Sequence, residues 1–86
     1  MFTPWYLQIV RVSSQQKQQD LLTLLQEVAS VTALGNTSGQ DHFVVFECPD
    51  VRLKIAVEKL FAEVDPASVL TQAHSHPLQA EGGELA

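Results

Sequence analysis

The chain has 86 residues, of which 45% are hydrophobic, so it has the length of one small domain and enough apolar side chains for a core. The net charge of −5 argues against a protein that holds nucleic acid or an anionic membrane through clustered Lys and Arg. A single cysteine excludes an intrachain disulfide bond, and no apolar run approaches the ~18 residues of a membrane span. Because residues 1–4 also lack the basic flank of a signal peptide, we expect a cytoplasmic protein that binds neither nucleic acid nor membrane.

The first third of the chain predicts a strand and a helix. Residues 5–12 (WYLQIVRV) are aromatic and β-branched, which is typical of a strand. Ser13 and Gln16 have the spacing of a capping box at the start of a helix. The apolar residues that follow recur at i, i+3, i+4 and i+7, on one helical face; they are Leu21, Leu24, Leu25 and Val28. We therefore predict a helix over about 14–29.

A hairpin is predicted in the middle of the chain. Residues 31–34 (VTAL) favour a short strand, and residues 42–47 (HFVVFE) give the strongest strand pattern in the sequence. The segment between them, residues 35–39 (GNTSG), is rich in turn-forming residues. Two strands joined by such a segment predict an antiparallel hairpin.

The second helix is predicted from its ends and its apolar stripe. Pro49 suits the first helical position and Asp50 complements the positive end of the helix dipole. The stripe consists of Leu53, Ala56, Val57, Leu60, Phe61 and Val64. Glu58 is expected on the opposite face, and the Asp65–Pro66 pair ends the helix because a residue before proline avoids the α region.

A fourth strand over residues 69–73 completes the predicted domain, which we place at residues 1–75. Residues 76–86 have no apolar periodicity and are expected to form a disordered tail. The order β-α-β-β-α-β is the split βαβ motif of the ferredoxin-like fold, an α+β sandwich. Right-handed crossovers then give the spatial strand order 4-1-3-2 with both helices on one face of an antiparallel sheet.

The uncovered face of this sheet is predicted to be apolar. Alternation along residues 5–12 and 42–47 leaves large apolar side chains on both faces, and two helices cover only one face. A monomer of this size rarely leaves a contiguous apolar patch in water. We therefore expect a homo-oligomer, most simply a homodimer, paired through the open sheet face. A tolerated, half-polar surface is the alternative.

Over residues 5–73 this arrangement resembles the ACT-type and related ferredoxin-like regulatory domains, on topology alone. The resemblance implies a regulatory module with a small anionic or amino-acid-like ligand near the turn after strand one. Arg11, Ser13, Ser14 and His42 are predicted to meet at that end of the sheet, where the positive end of helix one can hold an anion. The alternative is that Ser13 caps the helix and Arg11 is a solvated strand end.

Cys48 is the candidate reactive thiol, because it lies close to the start of helix two, where the helix dipole favours a thiolate. Its alternative role is that of a small apolar core residue. His74 and His76 are a weak candidate metal site, since their H-x-H spacing places both imidazoles on one face of a strand. Solvated histidines at a frayed chain end are the alternative.

The sequence contains no recognisable set of nucleophile, base and acid, and no phosphate-binding glycine loop. The leading hypothesis is therefore a non-enzymatic interaction or ligand-binding module without a cofactor. The alternative is a small enzyme that resembles acylphosphatases or dimeric ferredoxin-like enzymes, with its site at Arg11, His42 or Cys48.

Overall fold

The computed structural model describes residues 5–76, which form a four-stranded antiparallel sheet and two helices. The elements in chain order are β1 (Trp5–Val12), α1 (Gln15–Leu25), β2 (Thr32–Ser38), β3 (Asp41–Cys48), α2 (Val51–Val64) and β4 (Val69–His76). The strand order is β2-β3-β1-β4, so the predicted ferredoxin-like topology is confirmed. Of the tail predicted over residues 76–86, His76 belongs to β4 and the rest lies outside the described part, as do the residues before Trp5.

The core lies between the sheet and the helices. Side chains of even-numbered positions in β1 and β3 point towards the helices, and Val44 and Phe46 are almost completely buried. The ring of Phe61 in α2 stacks on Phe46 with 5.5 Å between the ring centroids. The predicted stripe of α2 is confirmed in its main members, because Val57 and Phe61 are buried and Leu53, Leu60 and Val64 are partly buried against them.

The start of each helix differs from its prediction by one or two residues. Ser14, not Ser13, is the N-cap of α1, and its hydroxyl accepts a hydrogen bond from the Lys17 N–H at 3.2 Å. Asp50 is the N-cap of α2 and accepts from Arg52 N–H at 2.8 Å, so Pro49 precedes the helix. In both cases the side-chain oxygen pairs an N–H of the first turn that would otherwise be free.

Helix α1 ends at Leu25, earlier than predicted. The backbone then tightens into i→i−3 hydrogen bonds, from Glu27 to Leu24 and from Val28 to Leu25. Ser30 has a φ of 71°, a left-handed conformation that no helix continues through. The apolar stripe is also displaced, because Leu24 is 41% exposed.

The residues that face the sheet from α1 are Gln18, Leu21, Leu22 and Leu25. They have the same i, i+3, i+4, i+7 spacing as the predicted stripe but begin with a polar residue. Gln18 is buried, and its Nε2 donates to the carbonyl oxygens of Phe43 at 2.9 Å and Asn36 at 3.2 Å. Its carboxamide therefore links α1 to β2 and β3 directly.

The predicted turn over residues 35–39 is wrong in its first part. Strand β2 continues to Ser38, and the turn is confined to Gly39 and Gln40. Gly39 has a φ of 61°, which glycine adopts without strain. Gly35 lies inside the strand for another reason: a Cβ there would come within 2.9 Å of Leu22 Cδ1, so glycine allows α1 to approach β2 closely.

Strand β4 is longer than predicted and extends to His76. Its register on β1 shifts between Ile9 and Val10, where Thr71 is the extra residue and its hydroxyl donates to the Ile9 carbonyl at 2.8 Å. Among the described residues, no helix has the length and apolarity needed to cross a membrane.

Candidate functional site

The turn after β1, where the sequence predicts an anion site, is occupied by a carboxylate of the chain itself. Ser13 donates two hydrogen bonds to Asp65, from its backbone N–H at 2.7 Å and from its hydroxyl at 2.8 Å. Asp65 follows α2 and is only 2% exposed. The two Ser13 donors of the predicted ligand site are therefore already used within the fold.

The other residues predicted at this site lie at the same end of the sheet but do not converge. Val12 pairs with His42, so β1 ends where β3 begins, as predicted. Arg11, however, is exposed on the face away from the helices, because it pairs with Phe43 and alternates with Val12. The His42 Nδ1 lies 3.1 Å from the Thr37 hydroxyl of β2.

Cys48 lies in the hydrophobic core. It is 1% exposed, and its Sγ lies 3.7 Å from the carbonyl oxygen of Asp50. Burial raises the pKa of the Cys48 thiol, and the charge of Asp50 acts in the same direction. Both effects disfavour the thiolate, which is the reactive form.

His74 and His76 occupy alternate positions of β4, opposite Leu7 and Trp5 of β1. His74 is exposed, and its Nε2 lies 3.4 Å from the Gln72 Oε1. Between Trp5 and His76 the structure contains no group of three or more His, Cys, Asp or Glu residues placed to hold a metal ion. The described residues therefore give this pair of positions no third metal ligand.

The sheet face away from the helices, here called the open face, carries most of the apolar side chains that the core does not use. Register and alternation assign it the following apolar residues: Trp5, Leu7, Ile9, Leu34, Phe43, Val45 and Val69. Leu34 is 55% exposed and Val69 is 45% exposed. Four strands spaced ~4.8 Å apart give the whole face a planar area on the order of 400 Å², and apolar side chains of neighbouring strands adjoin one another over its central part.

Two opposite charges lie at opposite ends of the open face. Arg11 is next to Phe43 at one end, and Glu47 is next to Leu7 at the other end. Both side chains are exposed. A two-fold axis that reverses the strand direction brings Arg11 of one copy to the end where the partner's Glu47 lies. The same pairing brings Asp41, an exposed acidic residue at the Arg11 end of this face, towards that end as well.

One polar pair on the covered face was missed by the sequence analysis. Gln8 of β1 is 3% exposed, and its Nε2 donates to Glu58 Oε2 of α2 at 2.8 Å. The sequence predicts Glu58 on the solvent face of α2. In the structure its side chain is only partly exposed and reaches Gln8 on the covered face of the sheet. The signal was present in the alternation of β1, where Gln8 shares the covered face with Tyr6, Val10 and Val12.

The comparisons with known proteins bear on the fold alone. No protein-family model matches the chain, and no curated protein matches it. Among solved structures it is similar to the de novo designed protein Foldit4, with a TM-score of 0.66 at 16% identity. The alignment covers 86% of this chain and 97% of the designed protein.

Proposed function

We propose that the protein is a non-enzymatic, regulatory-type interaction module, as its resemblance to ACT-type domains implies, and that it acts as a homodimer paired through the open face. The observation that carries this proposal is the contiguous apolar surface of the open face, opposite the helices. Burying it between two copies removes apolar area from water, which stabilises the association by roughly 25 cal/mol per Å² before the costs of ordering and lost translation.

A second copy of the chain is a suitable occupant of this face, because Arg11 can meet an opposite charge there. Arg11 and Glu47 flank the apolar centre at opposite ends, so a two-fold pairing places each of them near the opposite charge on the partner. Such pairs select the orientation of the dimer more than they add affinity. The interface is then isologous: the same patch is used on both copies.

Size-exclusion chromatography with light scattering tests the proposal directly, with a dimer expected at tens of micromolar chain. Ile9→Lys places a charge in the middle of the open face and should give a folded monomer. Ile55→Lys is the matched control, because Ile55 is 44% exposed on α2, and it should stay dimeric. A monomeric wild-type chain at this concentration would refute the proposal.

A charge swap tests the orientation of the two copies. Arg11→Glu or Glu47→Arg alone places like charges together across the two-fold axis, and either should weaken the dimer by about tenfold or more. The double variant restores opposite charges and should recover most of the affinity. Additive losses in the double variant would show that Arg11 and the partner's Glu47 do not meet.

A further inference from the structure

A groove lies between α2 and β4 on the helix-covered side of the sheet. Residues of β1 and β3 form its floor, α2 forms one wall, and the α2–β4 connection with β4 forms the other. Its volume is about 320 Å³, which is within the range of small-ligand sites. The apolar lining includes Phe46, Phe61, Pro66 and Leu70. Leu70 at the edge is 49% exposed, so part of this apolar wall faces water.

The floor of the groove contains an unpaired hydrogen-bond acceptor. Gln8 lines the groove, and its Nε2 is held by Glu58. Because a carboxylate only accepts hydrogen bonds, this contact fixes which end of the Gln8 carboxamide carries the oxygen. The Oε1 is buried and has no hydrogen-bond partner among the described residues. A buried acceptor without a partner is costly. A donor in the groove is therefore favoured at this atom, which it meets when the Gln8 side chain turns towards the groove.

The charge beside this acceptor is negative. Glu58 also lines the groove, and both of its contacts, from Gln8 at 2.8 Å and from Lys54 Nζ at 3.4 Å, use Oε2. The Lys54 ammonium is a partly exposed contact on Oε2 and is not among the residues that line the groove, so it offsets the Glu58 charge only in part. A carboxylate and an unpaired carbonyl oxygen side by side select a donor, favour a cation and disfavour an anion.

We propose that this groove binds a small organic amine with an apolar body. The ammonium group donates to Gln8 Oε1 and to the Glu58 carboxylate, and the apolar body lies against Phe61 and Leu70. A primary amine of ordinary basicity is protonated at pH 7, so it supplies both the charge and more than one donor. The site is on the opposite side of the sheet from the open face, and it stands or fails independently of dimer formation.

A titration with three matched probes followed by NMR tests the proposal on the full chain. The probes are 2-phenylethylamine, 2-phenylethanol and phenylacetate, which share the ring and differ in the polar group. We expect 2-phenylethylamine to shift the side-chain amide signal of Gln8 and the backbone signals of Ser68 and Leu70 in a saturable manner, with a Kd of about 1 mM or below. The alcohol should bind more weakly and the carboxylate should not bind.

Substitutions identify the groups that recognise the amine. Glu58→Gln keeps an acceptor for Gln8 but removes the charge, and it should weaken binding of 2-phenylethylamine by about tenfold. Glu63→Gln on the exposed part of α2 is the matched control and should leave the Kd unchanged. Gln8→Met removes the acceptor and should also weaken binding; if this variant does not fold, the Glu58→Gln and probe comparisons still decide.

Three results would overturn the proposal. The first is the absence of saturable shifts with 2-phenylethylamine, which would mean that the groove holds only water. The second is equal binding of phenylacetate, because the selection against an anion would then be missing. The third is equal loss of affinity in the Glu58 and Glu63 variants, since the effect would then come from overall charge and not from the groove.

Discussion

Ser13 and Asp65 are separated by 52 positions in the chain and joined by two hydrogen bonds, of 2.7 and 2.8 Å. The backbone of Asp65 also forms two local hydrogen bonds. Its N–H donates to the Phe61 carbonyl, and its carbonyl accepts from the Ser68 N–H. The contact therefore fastens the end of α2 to the turn between β1 and α1. It places a carboxylate at the point where the sequence indicated an external anion.

Loss of this contact should destabilise the fold. Hydrogen bonds to a charged group contribute about 1.5–3 kcal/mol each. These two are part-buried and share one carboxylate, so they are not fully additive, and Asp65→Ala should reduce the free energy of unfolding by about 2–4 kcal/mol. Ser13→Ala removes only the hydroxyl donor and should cost about 1–2 kcal/mol. Urea denaturation of both variants and of the double variant measures the coupling between the two side chains.

The double variant distinguishes the direct contact from two separate effects. If the hydroxyl and the carboxylate interact, the loss in the double variant is smaller than the sum of the single losses. Asp41→Ala is a suitable control, because Asp41 is exposed beside the hairpin turn, and it should change stability by less than about 0.5 kcal/mol. Strict additivity of the Ser13 and Asp65 losses would contradict the structure.

Gly35 is predicted to be required for the packing of α1 on β2. In Gly35→Ala the new Cβ lies 2.9 Å from Leu22 Cδ1 and 3.1 Å from Gln18 Nε2. These atoms must move, and the Gln18 bonds to Asn36 and Phe43 lengthen or break. We expect a loss of about 1–2 kcal/mol in the free energy of unfolding. Adding Leu22→Ala should recover part of the loss.

Gly39 provides the contrast, because its requirement is conformational. No atom lies within 4 Å of a Cβ at this position, but its φ is 61°. Asparagine tolerates a left-handed backbone better than most residues. Gly39→Asn should therefore cost less than Gly39→Ala, whereas Gly35→Asn should cost at least as much as Gly35→Ala. The reverse order in thermal melts would mean that the reasons given for the two glycines are wrong.

The sequence predicts the fold well where apolar periodicity is unambiguous. The alternation in β1 and β3 and the stripe of α2 identify the layers, and the order of the elements then fixes the strand order. It fails where a polar residue replaces an apolar one in the core. Gln18 begins the real stripe of α1, and Leu24 is displaced to the surface, because the two hydrogen bonds of Gln18 offset its burial.

Prediction of the candidate sites from the sequence is limited in the same way, because their polar contacts join residues far apart in the chain. The sequence placed Ser13 and His42 at the correct end of the sheet, since both follow from topology. It could not show that Asp65 reaches Ser13, because the partner lies at the far end of α2 and no local pattern connects them. The Gln8–Glu58 pair is also a contact between distant elements, and helical periodicity alone assigned Glu58 to solvent.

Phe61 should be the most costly truncation in α2. It is 3% exposed and stacks on Phe46, so Phe61→Ala removes buried apolar area and leaves a cavity. The expected loss is about 3–5 kcal/mol, which is comparable to the whole stability of a small domain. Chemical denaturation or circular dichroism should show a largely unfolded variant, unless dimer formation supports it.

Two controls on the same helix make this comparison specific. Ile55 is an apolar residue that is 44% exposed, and Glu63 is exposed; alanine at either position should change stability by less than about 0.5 kcal/mol. Glu58→Ala is not a neutral control, because it leaves both polar atoms of the Gln8 carboxamide without a partner among residues 5–76. Equal effects of Phe61→Ala and Ile55→Ala would show that the helical register is wrong.

The thiol of Cys48 should react only when the protein unfolds. Because the side chain is 1% exposed, iodoacetamide reaches it through unfolding, and the labelling rate then follows the unfolded fraction. A stability of ~5 kcal/mol predicts labelling about 4 × 10³-fold slower than in urea. Gln19→Cys in a Cys48→Ala background supplies an exposed thiol on α1 for comparison. Similar rates for the two thiols in the folded state would refute the core assignment of Cys48.

Alkaline pH should reduce stability through the same residue. Burial raises the pKa of the Cys48 thiol in the folded chain, so above the ordinary thiol pKa the unfolded chain releases a proton that the folded chain retains. The unfolded state is then favoured increasingly as the pH rises towards the folded-state pKa, and below the ordinary value the thiol contributes no pH dependence. Urea denaturation between pH 7 and 10 should show a steeper decline in the wild type than in Cys48→Ala. Parallel declines in the two proteins would mean that the folded-state pKa of Cys48 is not raised, and that another group causes the alkaline loss.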